Sequence, residues 1–243
     1  MSDGIVVRNE GSVCRIELDR ADCGNLVTSA MVVTIANAFQ ALPAGVKVVV
    51  FSGRGNDFCK GRDYSAAPES AQGGKAPSAL EIRRNMTDPI VSMYAALKEC
   101  PLPTVSVVQG LAHGFGCALA GACDIVLAGN SARFRLPEMT KGLPPTLAMT
   151  ALWERISTRG LAYLVYSTAE IDAPAAQAMG LVSTVVADDA LASQAAAVVE
   201  AIAQQPADAI RAVKEYLTLA PSMPAAGRAG LGAGLFAAVL SSR

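Results

Sequence analysis

The chain has 243 residues, of which 52% are hydrophobic and 17% charged, and this composition excludes a disordered or low-complexity protein. Twenty Lys and Arg residues nearly balance 21 Asp and Glu residues, giving a formal charge of −1, and no dense basic stretch indicates a nucleic-acid or membrane partner. The apolar runs are too short to cross a bilayer and the first residues lack a signal-peptide pattern, so we expect a cytoplasmic protein.

Six cysteines and one histidine restrict the chemistry that the chain can perform. The cysteines form no CxxC pair and His113 cannot complete a zinc site alone, so we expect reduced thiols and no metal. A Ser-His-Asp or Cys-His mechanism would depend on His113. We therefore expect carboxylates to carry any acid–base chemistry.

The first half of the chain reads as alternating strands and helices. Residues 5–8 and 13–18 predict a hairpin, residues 31–42 a helix capped by Thr28 or Ser29, and residues 46–51 a buried strand.

Residues 65–78, rich in Gly and Pro, predict a mobile loop beside a site that needs access. Beyond it we expect a helix ending near residue 99, a buried strand over 104–109, a helix of small residues over 116–122 and a strand over 124–128. This alternation predicts an α/β fold with parallel strands.

The last third of the chain is predicted to be mainly helical, with a short strand over 181–186. Residues 206–219 form an amphipathic pattern with Ile210, Val213 and Leu217 on one face. The apolar helix over 230–240 is too short to build its own core, so we expect it to pack on the main domain or on another subunit. We place a boundary near residue 188, between a core of residues 1–188 and a helical region of residues 189–243.

Two glycine-containing loops, residues 52–63 and 110–116, follow two of the buried strands. Loops at the carboxyl ends of parallel strands meet at one crevice, where ligands usually bind. Glycines let backbone N–H groups approach a ligand, and the helix predicted from Gly116 directs its positive end to the same place. The glycines could instead serve only as turn residues.

Motifs along almost the whole chain carry a family resemblance. They are LDR at 18–20 with NL at 25–26, FCKGRD at 58–63, PTV at 103–105, QG at 109–110, GCALA at 116–120, CD at 123–124, FRLPE at 134–138, APAA at 173–176 and MGLV at 179–182. In this order they closely resemble the crotonase superfamily, which includes the enoyl-CoA hydratases and isomerases. The resemblance implies a crotonase-like spiral of ββα turns with a helical C-terminal oligomerisation region, assembled as a homotrimer or hexamer. It also implies an acyl-CoA substrate, with coenzyme A entering as part of the substrate and no separate cofactor.

The resemblance further implies catalytic roles for Arg62, Phe115 and Glu138. The backbone N–H groups of Arg62 and Phe115 would bind the thioester oxygen as an enolate forms, and one such donor is worth about 3–4 kcal/mol. Glu138 would act as acid and base, in an apolar pocket that raises its pKa. Of the two glutamates of hydratases, the first falls at Ala118 and the second at Glu138, so the resemblance favours isomerisation of a 3-enoyl-CoA to a 2-enoyl-CoA. Read without the family, Pro137 and Glu138 would simply open a helix.

Other residues of the same motifs complete the candidate substrate site. They are Lys60, Gly61, Asp63, Gly114, Gly116 and Ala118. Lys60 could bind a phosphate of coenzyme A or be a solvated surface lysine. His113 could orient a catalytic group or pack as a loop histidine.

Two departures from the family pattern bear on the reaction. Phe115 stands where many relatives have glycine, and residues 145–149 replace the glycine-rich turn of hydratases. The alternatives are a hydratase with one glutamate, another crotonase reaction such as thioester hydrolysis, decarboxylation or dehalogenation, and a non-catalytic acyl-CoA-binding homologue.

Overall fold

A computed structural model of the chain describes residues 4–65 and 77–242. Its strands are β1 (Ile5–Glu10), β2 (Val13–Leu18), β3 (Val48–Gly53), β4 (Thr104–Val108), β5 (Leu111–His113), β6 (Ile125–Gly129), β7 (Arg133–Arg135), β8 (Ile171–Asp172) and β9 (Thr184–Val186). Its helices are α1 (Ser29–Gln40), α2 (Ala79–Ile82), α3 (Asp88–Glu99), α4 (Phe115–Ala122), α5 (Thr146–Leu152), α6 (Thr158–Ser167), α7 (Ala173–Ala178), α8 (Leu191–Ala203), α9 (Ala207–Leu219) and α10 (Ala225–Ser241).

The strands form two layers. The larger sheet has the order β1-β2-β3-β4-β6-β9, with β1 and β2 antiparallel and every later pair parallel. The smaller sheet has the order β5-β7-β8, and isolated bridges between Cys59 and Ala112 and between Val27 and Arg62 extend its pattern. The α/β fold with parallel strands is therefore confirmed, and the smaller layer carries the loops that were predicted to bind a ligand.

Strand β3 is buried on both faces, as its uninterrupted β-branched sequence predicts. Val49 and Phe51 join the main core, whereas Val48 and Val50 belong to a second apolar cluster on the opposite face. Helix α8 covers that second face with Leu191, Ala195 and Val199. Residues on both sides of position 188 thus share one core, and the division into 1–188 and 189–243 stays a prediction.

Helix α9 carries a buried lysine beside its predicted apolar face. Lys214 is only 3% exposed, because its ammonium group lies 2.6 and 2.8 Å from the two carboxylate oxygens of Asp124. Ile210 is buried as predicted, but Val213 and Leu217 are 60% and 57% exposed. Ile210, Val213 and Leu217 line one groove, so the predicted apolar face is confirmed, and the pairing of Lys214 with Asp124 anchors it to the sheet.

Several element boundaries differ from the predictions. Strand β9 begins at Thr184 because Gly180, at φ +87°, makes a turn after α7, and Leu181 and Val182 then pack into the core. Helix α10 begins at Ala225 and α4 at Phe115, both earlier than predicted. Of the predicted loop over 65–78, residues 66–76 lie outside the described residues. Across the described ranges, no helix has the length and apolarity needed to cross a membrane.

Candidate active site

The segment after β3 pairs first with β5 and then, beyond Gly61, with Val27. Cys59 pairs with β5, its N–H donating to the Leu111 carbonyl at 3.0 Å and its carbonyl accepting from the His113 N–H at 2.9 Å. Gly61 then takes φ +126°, which is accessible to glycine because it has no Cβ. The chain consequently rotates away from β5 just before Arg62.

After this rotation, the backbone N–H of Arg62 is free to donate a hydrogen bond to a ligand. Val27 pairs with the two residues that flank Arg62, donating to the Gly61 carbonyl and accepting from the Asp63 N–H, both at 2.9 Å. In this parallel bridge Arg62 directs its own N–H away from Val27. The N–H of Arg62 has no hydrogen-bond acceptor in the described part of the chain.

The second predicted donor lies at the start of α4. Gly114 ends β5 at φ +52° and ψ −116°, a conformation that favours glycine, and its N–H donates to the Arg135 carbonyl at 2.8 Å. Phe115 follows as the first residue of α4, so its N–H has no acceptor within the helix. Nor does that N–H find an acceptor elsewhere in the described ranges. The positive end of the α4 dipole adds to its attraction for an oxyanion.

Phe115 stands where many relatives have glycine, but it causes no backbone strain here. The positive φ falls on Gly114, and Phe115 is an ordinary helical residue. Gly116 lies directly against the Cys59 carbonyl, where any Cβ would overlap it. This contact holds the two donor-bearing segments together.

Glu138 places its carboxylate over Gly114. It opens a short 3-10 turn, Glu138–Lys141, three residues after the end of β7. Its Oε1 lies so near Gly114 that a Cβ on that glycine would come within 3.0 Å of it. The carboxylate therefore adjoins the first N–H of α4. Glu138 thus opens a helical turn, as the interpretation without the family expects, and its role as a base stays a prediction.

The surroundings of Glu138 favour a strong base. Burial raises its pKa above the ordinary value, although its own N–H and the nearby Lys141 oppose the shift. Its Oε2 is buried and has no hydrogen-bond partner among the described residues. Phe134 and Leu136 are fully buried nearby in sequence, whereas Met139 is 43% exposed. A carboxylate of this kind can accept a proton from a carbon acid.

Position 118 offers no second carboxylate. Ala118 is fully buried in α4, and its N–H donates to the Gly114 carbonyl at 3.0 Å. Lys141 is the one charged side chain of the described ranges that shifts the pKa of Glu138. Of positions 118 and 138, only 138 carries a carboxylate, and its role as the single acid–base residue stays a prediction.

The ring of Phe115 contacts two side chains. The Tyr94 ring stacks on it with centroids 6.0 Å apart, and the Arg62 guanidinium lies 5.7 Å from its centroid on a cation–π contact. Tyr94 is buried in α3, and burial raises its pKa far above the ordinary value. The sequence interpretation did not include Tyr94, because α3 carries no motif that distinguishes it from a core aromatic.

The side chains of Lys60 and Asp63 form ion pairs with residues other than Arg62, Phe115 and Glu138. The Lys60 ammonium lies 3.0 Å from Asp57 and its aliphatic stem covers Gly24. Asp63 accepts from Ser65 and pairs with Arg20 at 2.8 Å, and these contacts lower its pKa to about 2. The structure thus brings Arg62, Phe115 and Glu138 together, with Lys60 and Asp63 beside them.

His113 faces Glu170. Its Nε2 lies 3.0 Å from a Glu170 oxygen, off the line of a good hydrogen bond, and burial is the main cause that lowers its pKa. Glu170 was not predicted, since it stands far along the chain. An orienting role for His113 stays a prediction.

The cysteines are free thiols, as predicted. Burial raises the pKa of Cys59 and of Cys117 to about 12, so both are neutral thiols next to the site. Within the described ranges, no three His, Cys, Asp or Glu side chains are grouped to hold a metal ion.

Known proteins resemble this chain along nearly its full length. The family model described as enoyl-CoA hydratase/isomerase matches residues 8–242. The 2,3-dehydroadipyl-CoA hydratase of Escherichia coli (strain K12) is 31% identical over 220 residues, which cover 89% of this chain and 82% of the relative. A solved putative enoyl-CoA hydratase from Thermobifida fusca YX, in complex with CoA, has a TM-score of 0.88 at 29% identity, covering 98% of this chain and 93% of its own. An enoyl-CoA hydratase from Bacillus anthracis has a TM-score of 0.87 at 25% identity, covering 98% and 92%. The predicted crotonase-like fold is confirmed, and the chain belongs to the enoyl-CoA hydratase/isomerase family.

Proposed function

We propose that this protein isomerises a 3-enoyl-CoA to a 2-enoyl-CoA, with Glu138 as the single acid–base residue. The observation that carries the proposal is the buried Oε2 of Glu138, which has no hydrogen-bond partner among the described residues, beside two amides that also lack an acceptor there, with an alanine at position 118. Adding water across a double bond calls for positioning and activating a water molecule, whereas a double-bond shift needs only one group that takes and returns a proton.

The proposed reaction has two proton transfers. The Glu138 carboxylate removes a proton from C2, and the electron pair of that C–H bond forms the dienolate, whose negative charge resides largely on the thioester oxygen. The N–H groups of Arg62 and Phe115 donate to this oxygen. The protonated Glu138 then returns the proton to C4, so that the double bond moves from C3–C4 to C2–C3. Atoms and charge balance without a cofactor.

Binding of an acyl-CoA is part of this proposal. The relative from Thermobifida fusca was solved in complex with CoA, which supports a CoA ester as the ligand. Lys60 is half-exposed next to the donor segment and is a candidate partner for a CoA phosphate. A homotrimer or hexamer is also proposed, in keeping with the exposure of Trp153, Tyr166 and Phe236 at 59%, 77% and 71%.

Hydration is the second candidate. The names of the similar proteins favour it, since those from Escherichia coli, Thermobifida fusca and Bacillus anthracis are all called hydratases. In this chain it would use Glu138 alone to activate the water.

The deciding experiment measures turnover of a 3-enoyl-CoA and of a 2-enoyl-CoA by the wild type and by Glu138→Gln. Glu215→Gln, an exposed glutamate on α9, is the matched control. We expect conversion of the 3-enoyl ester to fall by about two to four orders of magnitude in Glu138→Gln and to be kept in the control. Glu138-dependent hydration of the 2-enoyl ester at a comparable rate would favour the hydratase. Tight binding of both esters without turnover would indicate a non-catalytic acyl-CoA-binding protein.

A further inference from the structure

The side chain of Arg62 forms no ion pair with an acidic residue of the described ranges, although the neighbouring Asp63 favours its charge. Its Nη1 donates to the Thr28 carbonyl at 2.8 Å and its Nη2 to the Ser29 hydroxyl at 3.0 Å, both neutral acceptors. Its Nε is buried and has no hydrogen-bond partner there. The neighbouring Asp63 is already paired with Arg20. A half-buried guanidinium with an unused donor is costly unless a ligand supplies the anion.

This guanidinium lines a cavity of about 320 Å³ that begins at the donor segment. Arg62, Asp63 and Tyr64 form one wall, and Ile82 and Met86 contribute apolar side chains from the α2 region. The volume lies at the lower end of the range for small-molecule sites. Two carboxylates also line the cavity: Asp63, which is paired with Arg20, and Glu81, which accepts from the N–H and hydroxyl of Ser78. The described lining therefore combines apolar side chains with one guanidinium and two carboxylates that are engaged elsewhere.

The same residue supplies the proposed oxyanion donor, which limits what the cavity can hold. The guanidinium lies 5.7 Å from the centroid of the Phe115 ring, and Phe115 supplies the second donor. The charge is therefore within one side-chain length of the thioester carbonyl. The phosphates of coenzyme A are separated from that carbonyl by the whole pantetheine arm, whereas a group a few carbons along the acyl chain is not.

We propose that the acyl group of the substrate ends in a carboxylate, and that Arg62 binds this carboxylate in the cavity beside Ile82 and Met86. The proposal rests on the proposed function, in that the thioester oxygen is held by the amides of Arg62 and Phe115. Arginine suits the task because its planar fork of N–H donors matches a carboxylate. Arg62 is thus a specificity-determining residue through its side chain and an oxyanion donor through its backbone.

The test compares two six-carbon 3-enoyl-CoA esters, one ending in a methyl group and one in a carboxylate. We expect wild type to prefer the carboxylate ester by at least about tenfold in kcat/KM. Arg62→Met should lower this preference by about 10- to 100-fold, Arg62→Lys should retain part of it, and Arg211→Met, on the exposed face of α9, should leave it unchanged. Any displacement of the backbone donor affects both esters alike, so the ratio isolates the side chain. A wild-type enzyme without the preference overturns the proposal, even if the variants fail to fold.

A binding experiment separates this proposal from the proposed reaction. The saturated six-carbon esters cannot be isomerised, so their dissociation constants by calorimetry report on recognition alone, with free CoA as a third ligand. Tighter binding of the carboxylate ester by wild type, lost in Arg62→Met, supports the role of Arg62 even if no isomerase activity is found. An equal loss for both esters and for free CoA would assign Arg62 to the phosphates and overturn the proposal. Turnover without any preference would reject the role of Arg62 and leave the isomerase intact.

Discussion

Replacing Lys214 with Met is expected to destabilise the fold by about 3 kcal/mol. Its ammonium group is buried and lies 2.6 and 2.8 Å from the two oxygens of Asp124. Breaking one side of a buried ion pair usually costs about 3–5 kcal/mol, because the remaining charge is left in a poorly solvated place. Asp124 would still accept from Thr104 at 2.9 and 3.0 Å and pair with Arg155 at 3.1 Å, so the lower end of that range applies.

The exposed pair of Lys98 and Glu154 is the matched control. Its N–O distance of 2.7 Å is nearly the same, but the side chains are 51% and 44% exposed. Because water competes for exposed charges, Lys98→Met should cost less than about 1 kcal/mol. Burial rather than distance should thus decide the difference between the two lysines.

Urea unfolding of wild type and the two variants, at one protein concentration, measures both costs. For a chain of this size, 3 kcal/mol corresponds to a Tm lower by roughly 6–12 °C. If Lys214→Met and Lys98→Met lose the same free energy of unfolding to within about 0.5 kcal/mol, the reasoning from burial is refuted. An Asp124→Asn variant should lose more than Lys214→Met, since it leaves two cations, Lys214 and Arg155, without their counter-ion.

Two further predictions concern catalysis. Burial raises the pKa of Glu138, and only the ionised carboxylate can accept a proton. We therefore expect kcat/KM to rise as the pH increases through that raised pKa. A pH profile of kcat/KM that is flat between about pH 4 and 8 would contradict this expectation. Gly114→Ala should lower kcat at least about tenfold, since the new Cβ would lie 3.0 Å from the Glu138 carboxylate. Gly142→Ala is the control, because Gly142 also has a positive φ but open space around it, and it should affect stability alone. Equal losses of kcat in the two variants would argue against the placement of Glu138.

Much of the large sheet could be predicted because its signals are local. The β-branched run of β3 predicts a strand buried on both faces, and the alternating side chains of β2 predict a strand buried on one face. Each prediction needs only a few consecutive residues. Thr28 was a candidate cap for α1, and its side chain does accept from the Met31 N–H. The same local patterns set the order of strands and helices.

The contacts that fix the site could not be predicted from such patterns. Arg62, Tyr94 and Phe115 come from three separate segments, and their stack exists only after those segments have packed. Lys214 and Asp124 are 90 residues apart, and an isolated lysine in an amphipathic helix reads as solvated. The resemblance to a family identified the positions of the amide donors and of Glu138, but it contained no information about what the side chain at position 62 binds.

The two proposed oxyanion donors are main-chain groups, so the backbone and the side chain of residues 62 and 115 can serve different purposes. Their amides are held by the fold, through the bridge to Val27 and the start of α4, so side chains can change at both positions while the means of stabilising an enolate persists. Natural variation or directed evolution at these two positions can therefore explore new acyl groups without first rebuilding the catalytic apparatus. A diverse set of substrates within one family is the expected outcome of such an arrangement.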